Sequence, residues 1–158
     1  MKYFTRELCY KANTFDEKER AKALQEWKKA YADYDAYIES IRPRISKRTW
    51  NVFKACDKLH DTTIRSIRLE SHWKKQKRYM VCKISLGEED CEEMVLLLKG
   101  LTGIRVVIEN QSDMLFNGFL WGYCEFELLS DDKIKMSLLG DFDNEYLFIF
   151  DSIKLIKI

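Results

Sequence analysis

The first third of the chain carries apolar residues at helical spacing. Thr14 and Glu17 form a capping-box pattern, in which a hydroxyl and a carboxylate satisfy unpaired N–H groups at a helix start. A single apolar stripe follows at spacings of three and four residues: Leu24, Trp27, Tyr31, Tyr34, Ile38 and Ile41. Because this is the helical period, it predicts an amphipathic helix from about residue 14 to residue 41, which Pro43 ends.

A second stripe and then a change of period follow. Residues 45–56 predict a shorter helix that closes near Leu59. From Leu59 onward, apolar and polar positions alternate, as in half-buried strands. Seven strand segments are predicted, at 64–69, 79–86, 94–98, 103–109, 121–129, 133–138 and 145–157. Residues 71–77 predict an exposed hairpin loop, and Asn117-Gly118 predicts a tight turn.

The spacing of the later strands determines the predicted fold class. It leaves no room for crossover helices, so consecutive strands should pair as antiparallel hairpins. The sequence therefore predicts an α+β fold, in which a long N-terminal helix and a shorter helix precede a mainly antiparallel, curved β-sheet or small barrel of about six to seven strands. We expect a single domain over 1–158, helical at 1–58 and β-rich at 59–158.

Composition supports a folded protein. Of the 158 residues, 46% are hydrophobic and 34% are charged, with one Pro and six Gly, which excludes a disordered or collagen-like chain. No apolar run approaches the length of a membrane helix, and the first residues lack the apolar stretch of a secretion signal. Five cysteines without a CxxC pair predict reduced thiols, mostly buried, and exclude a zinc ribbon. We therefore expect a soluble cytoplasmic protein.

The formal net charge of +1 conceals a division along the chain. Residues 1–86 carry 21 Lys and Arg against 11 Asp and Glu, whereas residues 87–158 carry 6 against 15. One interpretation is a nucleic-acid-binding half or an acidic partner surface. The other is that the two halves attract each other within one fold, or that the charges are simply solvated.

Three short motifs carry a resemblance to a known family. They are the opening Met1–Leu8, the triplet Leu59-His60-Asp61, and Glu145-Tyr146-Leu147 followed by a terminal strand. In these the chain resembles the bacterial proteins catalogued as domain of unknown function 4085. The resemblance implies a cytosolic bacterial protein with helices before a β-rich half, and it brings no catalytic residues. The layout is also similar to that of small immunity-type proteins of bacterial toxin systems.

His60 and Asp61 are the pair that a metallohydrolase would use. Such enzymes need further histidines and carboxylates, and the only other histidine here is His72. Cys56 lies four residues before His60, which is half of a zinc site without an apparent second half. The structural interpretation is that Asp61 and Thr62 end the helix and begin a turn. Neither a GxSxG elbow nor a phosphate-binding glycine loop is present, so we predict no catalytic, metal or cofactor residues.

Two basic clusters contain tryptophans. One is 42–54, with Arg42, Arg44, Lys47, Arg48 and Trp50, and the other is 73–78, with Trp73, Lys74, Lys75, Lys77 and Arg78. Cations beside planar rings bind phosphates and stack on bases. The alternative buries Trp50 in the core and leaves the cations solvated. An exposed Trp73 at a loop tip is typical of a contact surface, and Met114-Leu115-Phe116 is a second loop-borne apolar segment.

These observations lead to one leading hypothesis and two alternatives. We expect a non-enzymatic, cytoplasmic binding domain that engages a protein partner, immunity-like or regulatory, with no cofactor and no membrane association. An immunity-like protein would use its acidic second half against a basic toxin surface. The candidate binding surface comprises Arg44, Arg48, His60, Asp61, Trp73, Lys74 and Lys75. The alternatives are nucleic-acid binding through 42–54 and 73–78, and a metal-dependent hydrolase centred on His60 and Asp61.

Overall fold

The computed structural model describes residues 1–87, 94–107, 119–140 and 144–157, with Phe119 described by its backbone alone. Within these ranges, helices α1 (Arg6–Ala12), α2 (Glu17–Ile41) and α3 (Lys47–Cys56) precede eight strands, and Arg42–Arg44 form a 3-10 turn between α2 and α3. The strands are β1 (Thr63–Lys74), β2 (Lys77–Leu86), β3 (Met94–Lys99), β4 (Gly103–Val107), β5 (Phe119–Ser130), β6 (Lys133–Gly140), β7 (Glu145–Phe150) and β8 (Ser152–Lys157). Since the helices come first and the strands pair antiparallel, the predicted α+β class is confirmed.

The long helix, α2, begins at Glu17, three residues after the predicted start at about residue 14. Asp16 occupies the N-cap position, and its carboxylate accepts hydrogen bonds from the N–H groups of Lys18 and Glu19 at 2.9 and 3.0 Å. The predicted capping box of Thr14 with Glu17 is therefore wrong. An ionised side chain next to the helix start satisfies two unpaired N–H groups and also complements the helix dipole.

The other helices differ from the prediction in extent. Helix α1 was not predicted, and its N-cap is Thr5, whose hydroxyl accepts a hydrogen bond from the Leu8 N–H at 3.2 Å. Helix α2 ends at Ile41, as Pro43 predicts. Helix α3 ends at Cys56, before the predicted end at Leu59, yet Leu59 is buried in the core. None of the helices in the described part of the chain has the length and apolar character needed to cross a bilayer.

The strands form one open antiparallel sheet in the order β4-β7-β6-β5-β1-β2-β3-β8. Strands β1 and β5 pair only through Thr63 with Leu120 and Ile64 with Phe119. The sheet therefore consists of two four-stranded groups with a short join. The two groups are also connected where the chain passes from β3 to β4 and from β7 to β8. At this place the Asp151 N–H donates to the Lys99 carbonyl at 2.9 Å.

The sheet has eight strands rather than six to seven, because the predicted strand at 145–157 is two strands. The chain bends at Asp151. There it leaves the four-stranded group that contains β7 and enters the group that contains β8. Gly100 lies opposite, at a φ of +70°, and a Cβ there would lie 2.0 Å from an oxygen of the Asp151 carboxylate. Lys133 pairs with the same carboxylate. The bend thus depends on a glycine that periodicity alone does not reveal.

The β1–β2 hairpin is also longer than predicted. Instead of a loop over 71–77, both strands continue until only Lys75 and Gln76 remain between them. Both residues have positive φ, +46° and +63°, as required by the two-residue turns whose twist matches a strand pair. His72 and Trp73, predicted in the loop, are therefore strand residues.

Helix α2 covers the edge of β5 that faces away from β6. The hydroxyls of Tyr34 and Tyr37 accept hydrogen bonds from the N–H groups of Phe126 and Leu128 at 2.7 and 2.9 Å. Phe53 of α3 stacks on Phe126 with ring centroids 3.9 Å apart. Tyr34 of the predicted stripe and Tyr37, which lies outside it, thus complete the hydrogen bonding of a strand edge that would otherwise be open to other chains.

Glu125 attaches the N-terminal segment to the same strand. Its carboxylate accepts the N–H groups of Lys2, Tyr3 and Phe4 at 2.7, 2.7 and 2.6 Å, although only 6% of the residue is exposed. A buried carboxylate is tolerated when its oxygens are hydrogen-bonded in this way. Phe4 then packs against Trp27, Tyr31, Tyr34 and Tyr123, with centroid distances of 5.4 to 5.7 Å.

The covering of β5 predicts a difference between two Tyr→Phe substitutions on one helix. Tyr34→Phe leaves the Phe126 N–H without an acceptor, which should lower the free energy of unfolding by about 1–3 kcal/mol. Tyr31→Phe removes an exposed hydrogen bond to Asp57 and should cost less than about 1 kcal/mol. Urea unfolding monitored by circular dichroism measures both. Equal losses would contradict the assigned role of Tyr34.

Candidate functional site

The end of the β1–β2 hairpin, called the hairpin tip below, comprises Trp73, Lys74, Lys75, Lys77 and Arg78. The prediction of a loop position for Trp73 is wrong, because Trp73 lies in β1 opposite Arg78 of β2. Its side chain is nevertheless 71% exposed. Trp73 lies one residue before the last cross-strand pair, Lys74 with Lys77. The backbone that carries its indole is therefore still paired with β2.

The hairpin tip carries positive charge without neutralisation. Lys74, Lys75 and Lys77 have no acidic partner among the described residues, and Lys74 lies directly opposite Lys77. Arg78 donates from Nε to the Ser71 hydroxyl at 2.6 Å, a neutral acceptor. Like charges at facing positions repel one another and are therefore usually avoided unless a ligand or solvent compensates.

Two exposed apolar side chains, Trp73 and Leu69, share one face of β1 with the exposed polar Ser71 between them. Side chains two residues apart in a strand share a face, so Trp73, Ser71 and Leu69 lie on one side of β1. Leu69 is 50% exposed, and its cross-strand neighbour Cys82 is fully buried. The exposed indole is therefore the outer end of a surface that continues into the core.

On the opposite face of the hairpin, Glu70 and His72 have internal partners. The carboxylate of Glu70 lies 2.8 Å from the ammonium of Lys83 and 3.1 Å from Nε2 of His72. The hydrogen bonds from Lys83 and His72 lower the pKa of Glu70 below its ordinary value. His72 also stacks on Tyr79 at a centroid distance of 5.6 Å. The histidine thus has local partners, and the unneutralised charge lies at the tip.

The first basic cluster is mostly engaged within the protein. Trp50 is partly buried against the core, and the cations of Arg42 and Lys54 lie 5.2 and 5.1 Å from its ring centroid. Arg44 donates from Nε and Nη2 to one oxygen of Asp131 at 3.1 and 2.7 Å. These contacts agree with the alternative in which Trp50 belongs to the core, and they leave its ring less accessible to a base.

Arg48 lies apart from these contacts, in a groove between α3 and β8 that we call the α3–β8 groove. Lys47 of α3 and Lys154 of β8 line it too. The sequence pattern indicated Arg48 but not Lys154, because no periodicity relates a helix to a strand so distant in the chain.

His60 and Asp61 occupy the connection between α3 and β1. His60 Nδ1 lies 2.8 Å from Asp61, and the imidazole contacts the Tyr123 ring edge-on at 4.8 Å. The Asp61 N–H donates to the Trp121 carbonyl at 2.8 Å, and Asp61 has a φ of +67°. Both side chains are exposed. The pair therefore lies in the turn into β1, whereas the prediction that Asp61 and Thr62 end the helix is wrong, because α3 ends at Cys56.

Metal ligands do not gather around this pair. Cys56 is the last residue of α3 and is buried, whereas His60 is exposed beyond the helix, so the half-site that their spacing suggested is not formed. No group of three His, Cys, Asp or Glu side chains arranged to hold a metal occurs in the described ranges.

The predicted binding residues do not form one site. His60 and Asp61 precede β1, whereas Trp73, Lys74 and Lys75 lie at its far end. A strand of 12 residues has a contour length of about 40 Å. Arg44 and Arg48 lie in a third region, around α3. The candidate surface therefore separates into the hairpin tip, the turn before β1 and the surroundings of α3.

The acidic residues described in the second half have internal partners. Three of them bind the N-terminal half: Glu125 accepts from the first residues, Glu145 lies 3.3 Å from Arg6, and Asp131 binds Arg44. The other three have partners within the sheet half, where Glu127 pairs with Lys135, Asp132 accepts from Ser130, and Asp151 pairs with Lys133. These contacts support the interpretation that the halves attract each other within one fold.

Several sequence features lie outside the described residues: Cys91 and the acidic run 88–93, Met114-Leu115-Phe116, Asn117-Gly118, and the acidic run 141–143. Their predicted roles remain predictions. Comparison with protein-family models, with curated proteins and with solved structures finds no match. The resemblance to domain of unknown function 4085 therefore rests on its three motifs alone.

The cysteine environment predicts unreactive thiols. Burial raises the pKa of Cys56 and of Cys82 to about 12, so the thiolate fraction at pH 8 is about one in ten thousand. In a variant whose other three cysteines are serine, Ellman's reagent at pH 8 should label neither thiol in the folded protein and both after denaturation. Rapid labelling of the folded variant would contradict the buried assignment. Reaction should accelerate only as the pH rises toward the folded pKa.

The turn before β1 predicts an unusual order of substitutions at Asp61. Its positive φ disfavours β-branched side chains, so Asp61→Val should lower the free energy of unfolding by about 1–3 kcal/mol. Asp61→Gly relieves this backbone restriction and loses an exposed contact with His60, so its effect should stay within about 1 kcal/mol. Urea unfolding tests the order. A glycine variant less stable than the valine variant would show that the carboxylate, rather than the backbone conformation, matters.

Proposed function

We propose that the chain is a non-enzymatic, cytoplasmic binding domain, regulatory or immunity-like, that engages an acidic protein surface through the hairpin tip. The single observation that carries the proposal is the exposed indole of Trp73 at a hairpin end whose three lysines have no acidic partners among the described residues. An exposed tryptophan on well-ordered backbone is the residue type that most often dominates the energy of a protein interface. The flanking lysines would accelerate and orient the encounter.

The charge distribution supports an acidic rather than a basic partner. An immunity-like use of the acidic half against a basic toxin surface requires acidic side chains that are available at the surface. In the described ranges of that half, each acidic side chain already has an internal partner. Among the described residues, the lysines of the hairpin tip are cations without an acidic partner, so we propose a partner that supplies carboxylates there.

A protein partner is favoured over a nucleic acid by two features. The exposed side chains of Trp73 and Leu69 offer apolar contact area, which a protein interface uses and a phosphate backbone does not. In the first basic cluster, Arg42 and Lys54 cover Trp50 and Arg44 is paired, which removes the second stacking platform that a nucleic acid would need. Nucleic-acid binding through 73–78 remains the second candidate, carried by the same unneutralised lysines.

The hydrolase alternative has less support. His60 and Asp61 contact each other and Tyr123, and no third ligating side chain joins them in the described part of the chain. A hydrolase also needs a pocket beside its reacting groups. Neither residue lines the α3–β8 groove, the pocket beside Tyr37 or the pocket beside Gly100. We therefore base the functional test on the hairpin tip.

The test compares matched variants in a quantitative retention experiment. The tagged protein is incubated with extract of its own cells, and retained proteins are measured for the wild type, Trp73→Ala and Lys74→Glu/Lys75→Glu. We expect a partner whose retention falls at least about tenfold in both variants, because an anchor and its surrounding charges act together. Photo-crosslinking from Ser71, an exposed position beside Arg78, should then map to an acidic segment of that partner.

Two controls make the result decisive. Phe15→Ala removes a fully exposed aromatic side chain elsewhere, and Lys18→Glu/Lys28→Glu makes the same charge change on α2. Neither should reduce retention. A loss of partner retention with either control variant, or unchanged retention with Trp73→Ala, would refute the proposal. If the retained material is nucleic acid, released by salt and lost with Lys74→Glu/Lys75→Glu, the second candidate is correct instead.

A further inference from the structure

The α3–β8 groove is a concave surface with a volume of about 510 Å³. Its floor is apolar: Val52 is buried, and Ala55 and Leu155 are partly buried. Its rim is polar and carries Lys47, Arg48, Asn51 and Lys154. The volume lies within the range of about 300–1,000 Å³ that ligand pockets usually have.

The charges of the groove come from two separate elements. Lys47 and Arg48 belong to α3 and Lys154 belongs to β8, so cations lie on both sides. None of the three has an acidic partner among the described residues, and no acidic residue in the described ranges lines the groove. An occupant that carries carboxylates would therefore meet cations on both sides without displacing an internal ion pair.

The backbone of β8 adds a third feature. β8 ends the strand order, and in an antiparallel pair alternate residues direct their N–H and C=O groups away from the partner strand. Its outer edge therefore has no strand partner in the described part of the chain. Exposed strand edges bind extended peptides by adding a strand.

From these three features we infer that the α3–β8 groove binds an extended peptide segment in which acidic and apolar residues alternate. The peptide backbone pairs with the outer edge of β8. Its acidic side chains reach Lys47, Arg48 and Lys154, and its apolar side chains contact Val52 and Leu155. This site is separate from the hairpin tip and does not depend on the function proposed there.

Lysines on an edge strand also serve to prevent pairing between sheet edges. Lys154 has that effect against another copy of β8, because two such edges would bring lysines together. The same charge favours an acidic strand. The protective role predicts no binding of any peptide, whereas a peptide site predicts selection by the sign of the peptide charge.

The experiment uses fluorescein-labelled hexapeptides and fluorescence anisotropy on the whole protein. The probe alternates Glu and Leu, and its matched control alternates Lys and Leu. We expect binding of the acidic probe only, with affinity lowered about tenfold or more by Lys154→Glu. Asn51→Trp fills the groove without changing a charge and should weaken binding similarly. Hydrogen exchange should slow at 152–157 when the probe is bound.

Matched controls separate this site from general electrostatic attraction. Lys28→Glu makes the same charge change at an exposed α2 position and should alter affinity by less than about twofold. A probe N-methylated at alternate leucines keeps its charges and loses main-chain donors, so it should bind about tenfold more weakly. The variants should keep the circular dichroism spectrum of the wild type, since the substituted residues are exposed.

Each other outcome contradicts the inference. If Lys28→Glu weakened binding of the acidic probe as much as Lys154→Glu, the attraction would be diffuse and not specific to the groove. Equal binding of octanoate or inorganic phosphate would mean a small-anion site, and full affinity of the N-methylated probe would exclude strand addition. Loss of the probe with Lys74→Glu/Lys75→Glu, and none with Lys154→Glu, would place the peptide at the hairpin tip. Failure here leaves the retention test of the hairpin tip unaffected.

Discussion

The attachment of the N-terminal third to the open edge of β5 is the constraint on which the rest of the structure depends. β5 pairs fully with β6, but its other side meets β1 at only two residue pairs. Beyond that join, Tyr34, Tyr37 and Glu125 provide the hydrogen bonds that a neighbouring strand would have made. Without them, buried polar groups of β5 and of the N-terminal segment would lose their partners, which costs more than the net value of the bonds themselves.

This attachment determines which edges remain available. Helix α2 and the N-terminal segment lie over β5. They therefore do not cover the far end of the β1–β2 hairpin. Helix α3 stacks on β5 through Phe53 and also lies beside β8, so it forms one wall of the α3–β8 groove while contributing to the core. The two candidate binding surfaces therefore lie where the helical layer ends, and changes there need not disturb the core.

The sequence predicted the parts of the fold that local pattern determines. The stripe from Leu24 to Ile41 identified α2, and Pro43 identified where it ends. Alternation identified the region of every described strand. Both patterns work because side-chain periodicity reflects one buried face. The start of α2, the break at Asp151 and the short turn at Lys75-Gln76 were missed. Those features depend on a carboxylate cap, on a glycine opposite a bend and on positive φ, each of which involves one or two residues rather than a period.

The candidate site was predictable only in part for a related reason. Trp73 and its lysines are contiguous in sequence, so composition alone located them, although it placed them in a loop. Lys154 joins Arg48, and Asp131 pairs with Arg44, only after folding. A near-neutral chain can thus present a positive surface, because internal partners occupy the acidic groups described in its second half. The pairing of charges, rather than their totals, determines what a partner meets, and pairing depends on tertiary structure.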